Sequence, residues 1–251
     1  MKQALFILLL FISTQLIAQD KIETDRPSET IAPQTVSKNT FQLESGYRYS
    51  QQDKEDKVVQ YPDLLVRFGL FEKIELRVKA TNEKQTLVSE DIFRKGLAPV
   101  ELGAKLNFFE SSSKKFSSSI VAHAGIPHFS SPDHKPEKAF HRIRLLFENE
   151  VSDKIKLTYN AGSDWDNEQQ EQNWVYTISP EFELSKNCEA FVELYGFVKK
   201  GEKPEHIADG GISCFLSSNT KLDLSGGLGL NPQSPDYFLA AGLSFRLKPK
   251  K

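Results

Sequence analysis

The stretch IRLLFENEVSDKIKLTYNA, residues 143–161, has two mirrored halves around Asp153. In an antiparallel hairpin, residues at equal distances from the turn centre lie opposite each other on one face of the sheet. Counting outward from Asp153 gives four cross-strand pairs: Val151–Ile155, Asn149–Leu157, Phe147–Tyr159 and Leu145–Ala161. Almost all of these residues are apolar, whereas those between them are mostly charged or polar. The stretch therefore predicts a β-hairpin with one apolar and one polar face.

Two further stretches follow the same rule around Glu72 and Lys186. The first predicts the pairs Leu70–Ile74, Phe68–Leu76 and Val66–Val78, and the second predicts Leu184–Cys188, Phe182–Ala190 and Ile178–Leu194. A slip of one residue would turn each apolar face to the wrong side. The agreement between independent turns is therefore stronger support for β-hairpins than any single alternating run.

Strict alternation recurs along the chain and predicts about twelve strands. We expect them near residues 40–50, 58–70, 74–83, 97–109, 115–127, 140–151, 155–164, 173–184, 188–199, 207–216, 221–230 and 236–247. Tight turns alternate with longer polar loops, of which 83–95, 128–138, 164–172 and 199–206 are examples. This rhythm is typical of an up-and-down outer-membrane β-barrel, with turns and both termini on the periplasmic side.

A soluble β-sandwich would also alternate, with its apolar face in a dry core. The strands here are about ten residues or longer, which suits a tilted membrane-spanning strand better than a sandwich strand. The predicted fold class is therefore an all-β, antiparallel transmembrane barrel. Pro62, Pro99 and Pro180 fall within strands although proline donates no ladder hydrogen bond, and we expect a bulge at Pro180.

Residues 1–19, MKQALFILLLFISTQLIAQ, have the layout of a secretory signal peptide: an early lysine, an apolar run and a small-to-polar tail. The apolar run is too short for a comfortable membrane-spanning helix, although a retained anchor helix is the alternative. We expect an N-terminal arm at residues 20–38 and an outer-membrane barrel at 39–251. A formal net charge of −2 gives no footprint for nucleic acid, so lipid and small solutes are the expected partners.

Two motifs stand at the start of the chain: ETDRP at residues 23–27 and QLESG at 42–46. Together with the LVRFGL (65–70), IELR (74–77) and GAK (103–105) segments, they resemble an outer-membrane family associated with phenol degradation (the MetA pathway) and described as transporter-like. The resemblance is sharpest up to about residue 109. It implies an outer-membrane barrel with a transport or channel role for small hydrophobic or aromatic compounds.

The alternation places many charged side chains on the inner face, because a basic residue in contact with lipid would cost about 2–4 kcal/mol at the membrane midplane. These residues could line a selective pore, or they could close the lumen with ion pairs. Barrels of about eight strands are filled and those of about sixteen hold a channel, so twelve strands leave both readings open. The candidates are Glu44, Arg48, Arg67, Glu75, Arg77, Lys79, Glu101, Lys105, Arg142, Arg144, Glu148, Glu150, Lys156, Glu181, Glu183 and Glu193.

The arm carries its own candidates, Glu23, Asp25, Arg26 and Pro27. The arm could fold into the lumen as a plug, with Asp25 and Arg26 paired to charges on the wall. The alternative is a flexible periplasmic lead-in to the first strand.

The two cysteines fall opposite each other when the hairpin after the ninth strand is centred on Gly201. Because secreted proteins permit disulfides, Cys188 and Cys214 could form a cross-strand bond. They could instead be two small apolar side chains in contact. Neither cysteine has a suitably spaced Cys or His partner, so no metal site is predicted.

Passive transport or binding of small solutes is the predicted function. One alternative is a non-transporting barrel that presents external loops to partners. Another is a membrane-embedded lipid hydrolase, for which His128 and Ser130 could supply a base and a nucleophile. No phosphate-binding loop, H-E-x-x-H or G-x-S-x-G motif is present, and we predict no enzyme activity and no cofactor.

Overall fold

The structure, a computed structural model, describes residues 21–88, 91–165 and 171–248, so the signal-peptide prediction for residues 1–19 lies outside it. The described chain forms mainly strands, with a short 3₁₀ helix at Pro132–His134. The strands are β1 (Phe41–Gln51), β2 (Lys57–Phe71), β3 (Ile74–Leu87), β4 (Ile92–Leu97), β5 (Val100–Glu110), β6 (Phe116–Ile126), β7 (Phe140–Ser152), β8 (Ile155–Trp165), β9 (Gln172–Ser185), β10 (Cys188–Lys199), β11 (Glu205–Ser217), β12 (Thr220–Gly229) and β13 (Tyr237–Leu247). No helix in these three ranges is long and apolar enough to cross a membrane.

The strands form one closed antiparallel barrel. Sequence neighbours pair around the wall, and β1 pairs with β13 to close it. The sheet has 13 strands, but within the described chain β4 pairs only with β3, so the other twelve complete the wall. The prediction of a closed antiparallel barrel of about twelve strands is confirmed. We call the end with the tight connections, such as β2–β3 and β7–β8, the turn end, and the opposite end the loop end.

The predicted loop at residues 83–95 is wrong. In the structure β3 continues to Leu87, and β4 runs back beside it as a hairpin. The chain then breaks at Ala98 and Pro99 before β5 pairs with the first half of β3. Proline has no N–H to donate, which explains why the expected continuous strand at 97–109 starts only at Val100.

Most of the predicted hairpin pairs are observed, including Phe147–Tyr159, Phe68–Leu76 and Ile178–Leu194. The innermost pair at each of the three turns is wrong: Ile155 pairs with Ser152, Ile74 with Phe71, and Cys188 with Ser185. A shorter turn flanked by a register shift replaces the symmetric turn in each case. The bulge absorbs one residue, so the faces beyond it keep their predicted sides.

Pro180 produces an interruption and no bulge, so that prediction is wrong. The β9–β10 pairs on its two sides, Glu181–Phe191 and Ile178–Leu194, are separated by equal numbers of residues. In the gap the Ser179 hydroxyl donates to the Val192 carbonyl oxygen (3.3 Å). A side chain thus supplies a hydrogen bond where proline cannot.

Burial is inverted relative to a soluble protein. On the inner face the side chains are polar and covered: Glu44 and Lys105 are both 0% exposed. On the outer face they are apolar and open, with Leu145 at 42% and Leu224 at 60%. A soluble sandwich would bury the apolar face, so that alternative is wrong. An exposed apolar wall of this kind is what lipid covers.

Candidate functional site

The arm, here residues 21–38, lies inside the barrel. At the turn end the Ile22 amide donates to the Ser218 carbonyl (3.0 Å). Where the arm joins β1, the Asn39 amide donates to the Gly69 carbonyl (2.7 Å). Between these points the arm crosses the lumen and bonds to the side chains of most strands.

Asp25 is the centre of the arm's contacts. Its Oδ1 is 3.3 Å from Arg67 Nη1 and 3.3 Å from Lys105 Nζ, and its Oδ2 contacts Arg77 Nη2. Glu75 bonds to both arginines, at 2.8 Å from Arg67 Nε and 2.7 Å from Arg77 Nη1. A buried charge is costly unless it is paired. Asp25 therefore neutralises charge that the wall alone leaves in excess.

The Asp25 carboxyl remains ionised although it is buried. Burial alone would raise its pKa, but the Arg67, Arg77 and Lys105 charges outweigh that effect and hold the pKa well below its usual value. The carboxylate is therefore ionised throughout the neutral and mildly acidic range.

The two motifs of the opening segment bind each other. Glu44 Oε2 accepts hydrogen bonds from the Asp25 amide (3.0 Å) and the Arg26 amide (3.1 Å). Gln42 Nε2 donates to the Glu23 carbonyl (2.7 Å). The polar residues of QLESG on β1 thus hold the backbone of ETDRP.

The Arg26 side chain occupies a niche formed by two glycines. Gly46 on β1 and Gly242 on β13 are register partners. A Cβ at Gly46 would lie 2.0 Å from Arg26 Nη1, and one at Gly242 would lie 2.2 Å from Nε. Arg26 Nη2 also bonds to Asp223 Oδ1 (3.1 Å). Only glycine leaves room for the guanidinium against this part of the wall.

Further along the arm, side chains of the wall satisfy backbone groups. Glu193 accepts from the amides of Glu29 (2.9 Å) and Thr30 (2.6 Å). Asn160 accepts from the Ile31 amide (2.7 Å) and donates to the Ile31 carbonyl (2.9 Å). Buried irregular backbone needs such partners, so these polar residues are matched to the arm.

The arm divides the interior into two unequal spaces. The larger, which we call the vestibule, has a volume of about 560 Å³ and extends from the arm towards the loop end. Asp25, Arg26, Glu29 and Ile31 contribute to its arm side. Towards the turn end, a void lined by other arm residues has a volume of only about 40 Å³. The lumen is thus roomy on one side of the arm and nearly filled on the other.

The vestibule has charged walls in which most ions are paired. Glu101 Oε2 is 3.5 Å from Arg142 Nε, and Arg144 bonds to Asp164 (2.6 Å) and Glu29 (2.8 Å). The Lys79 side chain is 40% exposed, with Asp63 4.0 Å away.

The remaining predicted inner residues lie nearer the turn end. Glu148 accepts from Gln34 Nε2 of the arm (2.6 Å), and Lys156 bonds to Glu23 Oε1 (3.3 Å). Glu181 lines the small void. Glu150 pairs in register with Lys156, and Glu183 is exposed beside the β9–β10 turn.

An apolar patch on the inner wall was missed by the sequence reasoning. Tyr195, Phe197 and Ile207 line the vestibule, and Phe238 packs with them. The Arg48 guanidinium lies 3.7 Å from the centroid of the Phe238 ring. An argument from alternation places apolar residues on the lipid-facing side, so it does not identify apolar residues that point into the lumen. The available signal was the segment LYGFV at residues 194–198, where both faces are apolar.

Asp164 and Asp223 were also not singled out from the sequence, although alternation puts both on the inner face. Each forms an ion pair with an arginine, Asp164 with Arg144 and Asp223 with Arg26. Alternation could not reveal the glycine niche, because the niche depends on which residues of β1 and β13 are register partners.

Cys188 and Cys214 are register partners on β10 and β11 and form a disulfide. Ser130 donates its hydroxyl hydrogen to the Pro127 carbonyl (2.8 Å), and no hydrogen bond joins it to His128 in the described chain. Among the described residues there is no group of three or more His, Cys, Asp or Glu side chains that could hold a metal ion.

Comparisons with known proteins agree with this architecture. Residues 24–247 match the family described as "Putative MetA-pathway of phenol degradation". The fold is similar to that of an outer membrane channel from Pseudomonas putida F1, with a TM-score of 0.64, 10% identity, and coverage of 90% of this chain and 100% of that one. No curated protein sequence matches the chain.

Two further solved structures are similar. The NanC porin has a TM-score of 0.58 at 9% identity, with coverage of 82% of this chain and 100% of that one. The CymD monoaromatic hydrocarbon channel has a TM-score of 0.51 at 8% identity, with 86% and 90% covered. The fold is that of outer-membrane channels and porins.

Substituting Gly46→Ala should loosen the arm without unfolding the barrel, because the new methyl group displaces the end of the Arg26 side chain from its niche. Limited thermolysin digestion of the folded protein should cut before Ile31 of the arm at least several-fold faster. Gly226→Ala, with its nearest contact at 3.1 Å on the flexible Leu239 side chain, is the matched control and should leave the arm protected. Equal digestion rates for wild type and Gly46→Ala would contradict the niche.

The arm should stay bound in mild acid. Because the pKa of Asp25 in the barrel is lower than the usual 3.8, its ionised form stabilises the arm fully above pH 3.8, and this contribution is lost as the pH falls through the lower value. A spin label at position 28 (Ser28→Cys in a Cys188→Ser/Cys214→Ser background) should remain immobile from pH 8 to pH 4 and become mobile only in stronger acid.

Asp25→Asn is the control for this titration. It should give a more mobile label at neutral pH and little further change on acidification to pH 4. Release of the wild-type arm between pH 7 and pH 5 would contradict the assigned role of Asp25.

Proposed function

Because the chain belongs to the family described as "Putative MetA-pathway of phenol degradation", we propose that it passes small solutes, aromatic compounds among them, across the outer membrane. The observation that supports this proposal most directly is the vestibule, with its volume of about 560 Å³. It provides a polar, charged entrance with an apolar patch, which suits a small molecule with both polar and apolar parts. The channel for monoaromatic hydrocarbons that shares this fold supports the same solute class.

The arm is the closed gate of this route. It crosses the lumen between the vestibule and the small void, and paired charges and hydrogen bonds hold it there. Passage therefore requires the arm to move or to leave. We place the turn end in the periplasm, as in other outer-membrane barrels, so that the arm enters the lumen from the inner side.

The barrel performs this role without catalysis. The Ser130 hydroxyl is directed to the Pro127 carbonyl and not to His128, which does not favour a nucleophile–base pair. The competing proposal is a non-transporting barrel that displays its loops to partners. The observation in its favour is that the lumen is nearly filled near the turn end, where the void measures only about 40 Å³.

A reversible lock on the arm tests the proposal. The hydroxyl oxygens of Thr30 on the arm and Thr177 on β9 are 2.7 Å apart, so cysteines at both positions should form a disulfide. The variant Thr30→Cys/Thr177→Cys is built in the Cys188→Ser/Cys214→Ser background and reconstituted in a planar lipid bilayer. We expect no single-channel conductance steps when it is oxidised, and clear steps after reduction.

The Cys188→Ser/Cys214→Ser protein without the new cysteines is the control, and its conductance should change with neither oxidation nor reduction. Equal steps in the oxidised and reduced variants would contradict the gate. Silence in both states, and also in a correctly folded protein that lacks residues 21–38, would contradict transport and favour the loop-displaying barrel.

A further inference from the structure

Arg48 differs from the other arginines around the vestibule. Arg26, Arg77, Arg142 and Arg144 each have a carboxylate oxygen within 4.0 Å. Arg48 makes no ion pair with any residue in the ranges 21–88, 91–165 and 171–248. It also lines the vestibule, so its charge faces the open space with no carboxylate in direct contact among the described residues.

The surroundings of Arg48 hold its guanidinium in place. Nε lies 3.4 Å from Ser50 Oγ, and Nη2 lies 3.4 Å from the Tyr195 hydroxyl oxygen. The ring of Phe238 covers one face of the group, with a carbon-to-centroid distance of 3.7 Å. Nη1 has no hydrogen-bond partner in the described part of the chain. The group is thus oriented by neutral contacts and keeps donors for another molecule.

An oriented guanidinium without a counterion favours an anion. Guanidinium donors match the two oxygens of a carboxylate, and such charge-assisted hydrogen bonds are strong. The nearby acids do not contact this guanidinium. Asp63 lies 3.9 Å from Arg26 and 4.0 Å from Lys79, and Glu101 pairs with Arg142. Asp209 also interacts electrostatically with Arg48, but it forms no ion pair with it within 4.0 Å. The Arg48 guanidinium therefore has no carboxylate within 4.0 Å among the described residues, and a ligand can supply one.

Apolar side chains adjoin the same position. Tyr195, whose hydroxyl contacts Arg48, belongs to the patch with Phe197 and Ile207 that lines the vestibule. Aromatic side chains pack well against flat, apolar groups. A ligand with its carboxylate on Arg48 would lay an apolar body along this patch.

We propose that the vestibule binds small aromatic monocarboxylates, with Arg48 as the anchor for the carboxylate and Tyr195 beside the ring. This deepens the proposed function and rests on it, because it names the solute class for the same entrance. Arg48 then determines specificity: it separates an aromatic acid from a neutral aromatic molecule of equal size.

Calorimetric titration of the full-length folded barrel in detergent micelles tests the assignment, with benzoate, benzyl alcohol and acetate as probes. Benzoate should bind more tightly than either of the others, because only benzoate has both the charge and the ring. Arg48→Gln should weaken benzoate binding by about tenfold or more, the usual effect of losing a charge-assisted hydrogen bond. Binding of benzyl alcohol should hardly change.

Lys57→Gln is the matched control, since Lys57 is an exposed cation at the start of β2 that does not line the vestibule. It should leave benzoate binding unchanged, whereas Tyr195→Ala should weaken benzoate more than acetate. Equal affinity of wild type and Arg48→Gln for benzoate would overturn the proposal, as would equal binding of benzoate and benzyl alcohol by the wild type.

Binding and passage are measured separately, so the two proposals can fail independently. If benzoate binding depends on Arg48 but the barrel never conducts, the proposed binding site stands and the transport proposal is wrong. If the barrel conducts but the Arg48→Gln substitution leaves benzoate binding unchanged, the transport proposal stands and the proposed benzoate site is wrong.

Discussion

The Asp25 carboxylate joins the arm to cations on three different strands: Arg67 on β2, Arg77 on β3 and Lys105 on β5. Two of the three have further acidic partners, since Arg67 also contacts Glu44 and both arginines contact Glu75. Three cations thus face two wall carboxylates, and Asp25 makes the cluster neutral. Removing one partner from a buried ionic network costs about 3–5 kcal/mol. The barrel wall and the arm are therefore electrostatically complementary.

This complementarity extends beyond a single ion pair. Gly46 and Gly242 leave space for Arg26, Glu44 and Gln42 hold the backbone around Asp25, and Glu193 receives the amides further along the arm. A passive leader peptide would need none of these features. The inner face of the barrel is shaped for two occupants: the arm near the turn end and a solute in the vestibule.

The fold could be predicted from the sequence because the outer face must be apolar in lipid, which forces a strict alternation that symmetric pairs such as Phe147–Tyr159 reveal. The turns were less predictable, since a two-residue turn with a bulge and a three-residue turn leave the same faces beyond them. The hairpin of β3 and β4 was missed because its polar residues look like a loop. The inward set of charges follows from alternation, but its division into closed pairs and an unpaired Arg48 depends on three-dimensional distances that alternation does not encode.

A double-mutant cycle between Asp25 and Arg77 tests most directly whether the arm is an integral part of the barrel. The free energy of unfolding would be measured by urea titration of the protein folded in lipid vesicles, for wild type, Asp25→Asn, Arg77→Gln and the double variant. Residues in one buried network usually show coupling of about 0.5–3 kcal/mol, and we predict more than about 1 kcal/mol here. Effects of the two substitutions that add to within about 0.5 kcal/mol would contradict the account, because an arm outside the lumen cannot couple to the wall.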